Sequence, residues 1–196
     1  RTVLAQWPGD KAAKAHLDTA PKMCAWGFIE LYSCFEEFVF DIYRTYLTHH
    51  PDDLLQGAEF RELRRLRREA IADATKREAW DAALAERLDQ WQRKKLYDGL
   101  ERVFLALFNT TGLKKPSHYT KSTPETWAES LGGIALVRHL LVHGAKTIPQ
   151  ELAAFCKQPH GLAFDFEEGR PLKVELHHLQ LVELFSDQLL SAVNLS

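Results

Sequence analysis

Residues 136–146 read Leu-Val-Arg-His-Leu-Leu-Val-His-Gly-Ala-Lys, which places Arg138, His139 and His143 within six residues. An arginine never sheds its charge, and its planar fork matches two phosphate oxygens at once. Imidazole exchanges protons near neutral pH. These types form a minimal set for cleaving RNA without a metal. The 2′-hydroxyl is the nucleophile, a base takes its proton, an acid protonates the leaving 5′-oxygen, and fixed positive charge meets the phosphate as the transition state forms. Two other readings stand beside this one. In the first, Arg138 pairs with a core carboxylate such as Glu36, Glu37 or Asp41, and the histidines are surface residues favoured by a helix C-terminus. In the second, His139 and His143 are half of a zinc site. The glutamate of a His-Glu-x-x-His motif is missing, however, and no third ligand has a defined spacing.

The element that positions these residues is a helix from about Glu125 to His143. Ser122 and Glu125 have capping-box spacing, Pro124 suits the first turn, and Gly144 marks the end. Trp127, Leu131, Ile134, Leu141 and Val142 form its apolar stripe, and Arg138 falls in the middle of that stripe. His139 and His143 share a different face. At 100° per residue, Arg138 and His143 lie about 140° apart. They converge only if the arginine reaches round, if the helix bends at Gly132–Gly133, or if a second copy supplies one of them.

The rest of the chain reads as helices around this one. From about Pro21 to His49, Met23, Trp26, Ile29, Tyr32, Phe35, Phe38, Val39, Ile42, Tyr43 and Tyr46 recur at helical spacing and predict a central helix that Pro51 ends. Residues 57–109 lack proline but change apolar phase, which predicts two or three helices, or one kinked helix. Residues 109–125 read as a loop. Near the end the period switches to two: Leu162, Phe164 and Phe166 alternate, as do Leu172, Val174 and Leu176, with "EEGR" between them. This predicts a β-hairpin over about 162–176, followed by a last helix carrying Val182, Phe185, Leu189 and Val193, with His177-His178 as structural residues at its start. The expected architecture is therefore mainly α. It has an irregular segment over 1–20 and a single domain over 21–196.

Bulk properties narrow the classes. The chain has 196 residues, 45% apolar, with a net charge of −2, so any contact with a polyanion must be a local patch. Cys24, Cys34 and Cys156 form neither a paired framework nor a Cys-x-x-Cys motif, which favours reduced thiols and a cytoplasmic setting. No apolar run is long enough for a membrane span. The chain starts at Arg1 rather than Met, as a fragment would. Two basic patches are candidates for RNA. Arg61, Arg64, Arg65 and Arg68 share one face of a helix, where Glu62, Glu69 and Asp73 also allow an ordinary solvated surface. Lys114, Lys115, His118, Tyr119 and Lys121 line the loop before the motif helix, with Tyr119 as a stacking candidate.

Arg138-His-Leu-Leu-Val-His143, an Arg-x4-His string with a polar residue after the arginine, resembles the signature of the HEPN superfamily (higher eukaryotes and prokaryotes nucleotide-binding domains). The first helix, with Glu36 and Glu37 in "CFEEFVFDIY", is similar to the helix that precedes the motif there. The expected hairpin and closing helix look like the stand-alone bacterial members tied to RNA toxins and conflict systems. The resemblance implies a HEPN-like antiparallel helical bundle with a hairpin and closing helix. It also implies a metal-independent endoribonuclease that acts without cofactor, as a homodimer whose two motifs form one cleft. Such a protein would be a toxin or antiviral defence effector, with an antitoxin or a fused or partner defence protein. Arg138 would hold the scissile phosphate, His143 would move the proton, and His139, where the family commonly has Asn, would share or shape the site. Glu36 and Glu37 would be supporting carboxylates. The family also contains catalytically silent modules used for dimerisation or for nucleotide or partner binding, the alternative for this chain.

Overall fold

The computed structural model describes residues 8–160 and 162–194. Among them are seven α-helices: α1 (Gly9–His49), α2 (Arg61–Ala72), α3 (Arg77–Lys95), α4 (Leu100–Thr111), α5 (Pro124–Val142), α6 (Gln150–Cys156) and α7 (Leu176–Asn194). No described helix is long and apolar enough to cross a membrane. Helix α1 is the axis, and α3, α4, α5 and α7 pack against it. Its buried face repeats at Phe28, Tyr32, Phe35, Val39, Phe40, Tyr43 and Leu47, the spacing of a core-facing helix. The aromatic stripe expected from sequence is thus narrower than its residue types suggested. Met23, Trp26 and Phe38 belong to it by spacing but are exposed.

The irregular segment expected over 1–20 is corrected from Gly9 onward; residues 1–7 lie outside the described residues. "KAAKAHLDTA" is rich in strong helix formers, and Pro21 sits inside α1 without ending it. The three helices α2, α3 and α4 account for the phase changes over 57–109. At the start of α5 the capping box is formed by Thr123 and Thr126, not by Ser122 and Glu125. The threonine pair sits one position further along and exchanges the same two hydrogen bonds.

The expected β-hairpin over 162–176 does not form among the described residues. Leu162 and Ala163 both adopt left-handed backbone, with φ of 55°, which breaks the first arm. Phe164 and Phe166 are buried as the alternation suggested, but they pack on Phe28 and His178 rather than beside a second arm. The turn at "EEGR" is real, with the Arg170 N–H donating to the Glu167 carbonyl. The chain beyond it pairs with the stretch after α5. The Ile148 N–H donates to the Arg170 carbonyl, and the Leu172 N–H to the Lys146 carbonyl, around a single antiparallel bridge between Thr147 and Pro171.

Candidate active site

Helix α5 is held in place by small residues and by its end. A Cβ on Gly133 would stand 2.0 Å from the Phe155 ring, so only glycine lets α6 come this close. Gly144, with φ of 67°, closes the helix. Its N–H donates to the Leu141 carbonyl, and the Ala145 N–H donates to that of Leu140. This paired closure fixes His143 as the last residue before the chain turns.

The helices place Arg138 against α1. Helix α5 runs antiparallel to α4, since Phe108 meets Trp127 at 6.2 Å while Glu101 lies beside Gly132. Arg138 stands six residues beyond Gly132, about 9 Å further along the axis. There its guanidinium carbon lies 5.8 Å from the centre of the Tyr32 ring. Its Nε is buried with no hydrogen-bond partner, and no ion pair ties the group to a carboxylate among the described residues. Arg87 also has an orphan Nε, but another of its nitrogens donates to the Leu54 carbonyl and its guanidinium lies over Phe60 at 4.3 Å. Arg138 has no such engagement beyond the face of Tyr32.

Glu36 is the carboxylate that Arg138 feels most clearly. Burial pushes the Glu36 carboxyl above its ordinary range, Arg138 opposes that rise, and Glu37 adds to it. The Tyr32 hydroxyl is pushed up as well, first by burial and then by Glu36 and Glu101, again with Arg138 opposing. The structure therefore groups Arg138 with Tyr32, Glu36 and Glu101. Glu37 is exposed and enters only through its charge.

The two histidines form a separate pair. Both are exposed, and their rings lie 4.3 Å apart between centres with a 53° tilt. No hydrogen bond or ring contact joins them to Arg138. The divergence of about 140° computed for a regular helix is thus retained in a single copy. Nor does a third His, Cys, Asp or Glu among the described residues join them at ligand distance.

The basic patches expected to bind RNA lie at the other end of the bundle. Tyr119 meets Trp127 edge-on at 5.9 Å, and its hydroxyl reaches the Gln188 carbonyl. Its ring also sits against His118, and Lys115 donates to the Tyr119 carbonyl. The loop with Lys114 and Lys121 is therefore anchored near Trp127, eleven residues and about 16 Å along α5 from Arg138. On α2, Arg64 donates to the Leu55 and Gly57 carbonyls, and Arg65 is ion-paired with Glu62 and Glu69. Arg67, which the sequence did not single out, holds Asp52. Arg61 and Arg68 are exposed. These contacts tie α2 to the turn after His49, about 25 Å along α1 from Tyr32.

His177 and His178, read from the sequence as structural, are joined by Asp165, which the sequence did not mark. Asp165, His177 and His178 bring potential ligand atoms within 4.8 Å of one another, the one such group among the described residues. The hydrogen bonds argue against a metal there. The Glu175 N–H donates to His178 Nδ1 at 3.0 Å, so in the neutral ring Nε2 carries the proton and donates it to Asp165 Oδ1 at 2.7 Å. The nitrogen that faces the cluster has no lone pair to offer. His178 instead completes the helix start by reaching back from the third helical position to the residue before α7, with its ring stacked on Phe166 at 4.3 Å. The spacing Glu175-x-x-His178 was the available signal.

Comparison of the chain with protein-family models, with curated proteins and with solved structures finds no match.

Proposed function

We propose that this chain is a HEPN-type endoribonuclease that cleaves RNA without a metal. The observation that carries the reading is Arg138. A half-buried permanent cation stands between α1 and α5, its Nε without a hydrogen-bond partner, held by no ion pair, with the Tyr32 ring beside it and Glu36 acting on it only through its charge. Such a group is poised for an anion from outside, and a phosphodiester matches its fork. The reading also draws on the Arg-x4-His string and the mainly helical fold.

In this mechanism Arg138 holds the non-bridging oxygens of the scissile phosphate. A histidine of the 139/143 pair takes the proton of the 2′-hydroxyl, whose oxygen attacks phosphorus. The bond to the 5′-oxygen breaks, and a second, protonated imidazole, or the same one passing on the proton it has just taken, gives that oxygen its proton. The products are a 2′,3′-cyclic phosphate and a 5′-hydroxyl. Because Arg138 and the histidines diverge within one copy, the complete site is composite, formed by a symmetric homodimer across the exposed face of α5. Helices α1 and α5 run antiparallel, so Trp26 comes about level with His143, beside Val142, and Met23 lies one turn further along. All three of these apolar residues are exposed, Trp26 at 70%. They are the natural seam. A role as toxin or antiviral effector, restrained by an antitoxin or partner, follows from the same reading.

The second reading is a silent HEPN-like module for dimerisation or partner binding, favoured by that divergence within one copy. End-group analysis of digested RNA separates the two. A 2′,3′-cyclic phosphate in EDTA, and no cleavage at sites carrying 2′-deoxyribose, support the nuclease. Absence of cleavage in EDTA, or cleavage of 2′-deoxy sites, overturns it.

A further inference from the structure

Neither basic patch read from the sequence lies near Arg138, but a third one does. Helices α1 and α3 are antiparallel, with Arg44 ion-paired to Asp89 at 2.7 Å and Phe40 against Trp91 at 6.0 Å. Four residues on from Trp91, about 6 Å along, α3 ends at Lys95, while the same distance back from Phe40 reaches Glu36. The turn 96–98 that joins α3 to α4 therefore sits at the level of Arg138. Glu101, in the first turn of α4, links the two places, since it acts on the Tyr32 hydroxyl and lies beside Gly132.

At this corner Tyr97 is 92% exposed. Arg93, Lys94 and Arg102, within five residues of it in the chain, are exposed, and none holds an ion pair among the described residues. Lys94 and Arg102 lie close enough to Asp98 to lower its carboxyl, behind a Lys95–Asp98 ion pair of 2.6 Å. Lys95 is thus spent on the local turn, while the other three cations face water. A bare aromatic ring among unpaired cations offers a base a stacking face and its phosphates a set of counter-charges.

We propose that the corner formed by Arg93, Lys94, Tyr97 and Arg102 binds single-stranded RNA and feeds it to the Arg138 site. The inference rests on the nuclease reading for its destination but not for its chemistry. One base stacks on Tyr97, the cations meet the flanking phosphates, and the strand continues along the α4–α5 edge toward Arg138.

The test uses a fluorescent 12-nucleotide 2′-O-methyl uridine strand, which lacks the nucleophilic hydroxyl and stays intact, with binding read by fluorescence anisotropy. Tyr97→Ala is expected to raise Kd roughly 5- to 150-fold, the range for losing one stacked base. Lys94→Ala and Arg102→Ala are expected each to lower the slope of log K against log salt by about 0.7. All three residues are exposed, so melting temperatures should not move, and a variant that does melt early is replaced by Tyr97→Ser or Arg102→Gln. Unchanged affinity in the Tyr97 variants, or no binding by the unmodified chain, overturns the proposal. Tyr97-dependent binding without any RNA cleavage upholds the platform and overturns the nuclease reading alone. Cleavage that is indifferent to Tyr97, with unchanged KM, does the reverse.

Discussion

Replacing Arg138 by methionine separates a structural arginine from a functional one. Methionine keeps an unbranched apolar stem of similar reach, so the packing between α1 and α5 is largely preserved. The substitution removes a buried Nε that has no hydrogen-bond partner, a defect that costs about 1–3 kcal/mol. It also removes a cation that now eases the ionisation of half-buried Glu36, and that carboxyl then rises further toward neutrality. No ion pair is broken. The expected result is a melting temperature that is unchanged or raised by a few degrees, at about 2–4 °C per kcal/mol for a chain of this size. Loss of a phosphate clamp should meanwhile lower cleavage by two or more orders of magnitude. Thermal melts beside a cleavage assay read both. If Arg138 were instead held by a carboxylate, removing it would leave a buried charge and cost about 3–5 kcal/mol. A fall of about 6 °C or more in Arg138→Met, with cleavage by the folded fraction intact, would show that Arg138 is structural and not the phosphate clamp.

Acidification should weaken the fold through the start of α7. Burial holds the His178 pKa below its ordinary value, while Asp165 opposes and His177 adds to the depression. Asp165, His177 and Glu175 face this ring, and Cys156 lies near Asp165. With a depressed folded value, the unfolded chain binds the proton first. The stabilisation is therefore complete above about pH 6.5 and is lost as pH falls below it. The Asp165 carboxyl, lowered chiefly by its hydrogen bond to His177 and then by that to His178, adds a second loss below about pH 4. Melts from pH 8 to 5 should show a falling midpoint that His178→Gln flattens; a flat profile in the unmodified chain would contradict this. Gly133→Ala should cost about 1–3 kcal/mol by driving a methyl group into the Phe155 ring, and Phe155→Ala should recover most of it in a double-mutant cycle; additive losses would argue against the contact. If the apolar residues level with His143 form the dimer seam, Trp26→Glu should yield monomers by light scattering and inactive protein, whereas an active monomer would remove the composite site.

The helices were legible because each carries its own signal. The 3.6-residue repeat of Phe28 to Leu47, the phase shifts before Trp80 and Leu100, and Gly144 after Val142 are local facts. The hairpin was misread because alternation reports which side chains are buried and not what covers them. Phe164 and Phe166 are buried against a helix and an imidazole. The candidate site was half legible. The types and the 140° divergence of Arg138 and His143 follow from spacing, and Glu36 stood among the carboxylates offered to the arginine. Tyr32 and Glu101, which complete its surroundings, come from elements distant in sequence and carried no such signal. The distance of the two expected basic patches from Arg138 was hidden for the same reason. Charge density along the chain pointed to 61–68 and 113–121, while antiparallel packing brings the corner around Tyr97 to the level of the motif.

The measurement closest to the central claim is cleavage of single-stranded RNA by the purified chain in excess EDTA, run beside Arg138→Met and His143→Ala. The unmodified chain should cut, leaving cyclic phosphate ends, and both variants should be folded and at least about a hundredfold slower. Failure of the unmodified chain to cut until a divalent metal is restored, or equal cutting by all three proteins, would contradict that claim.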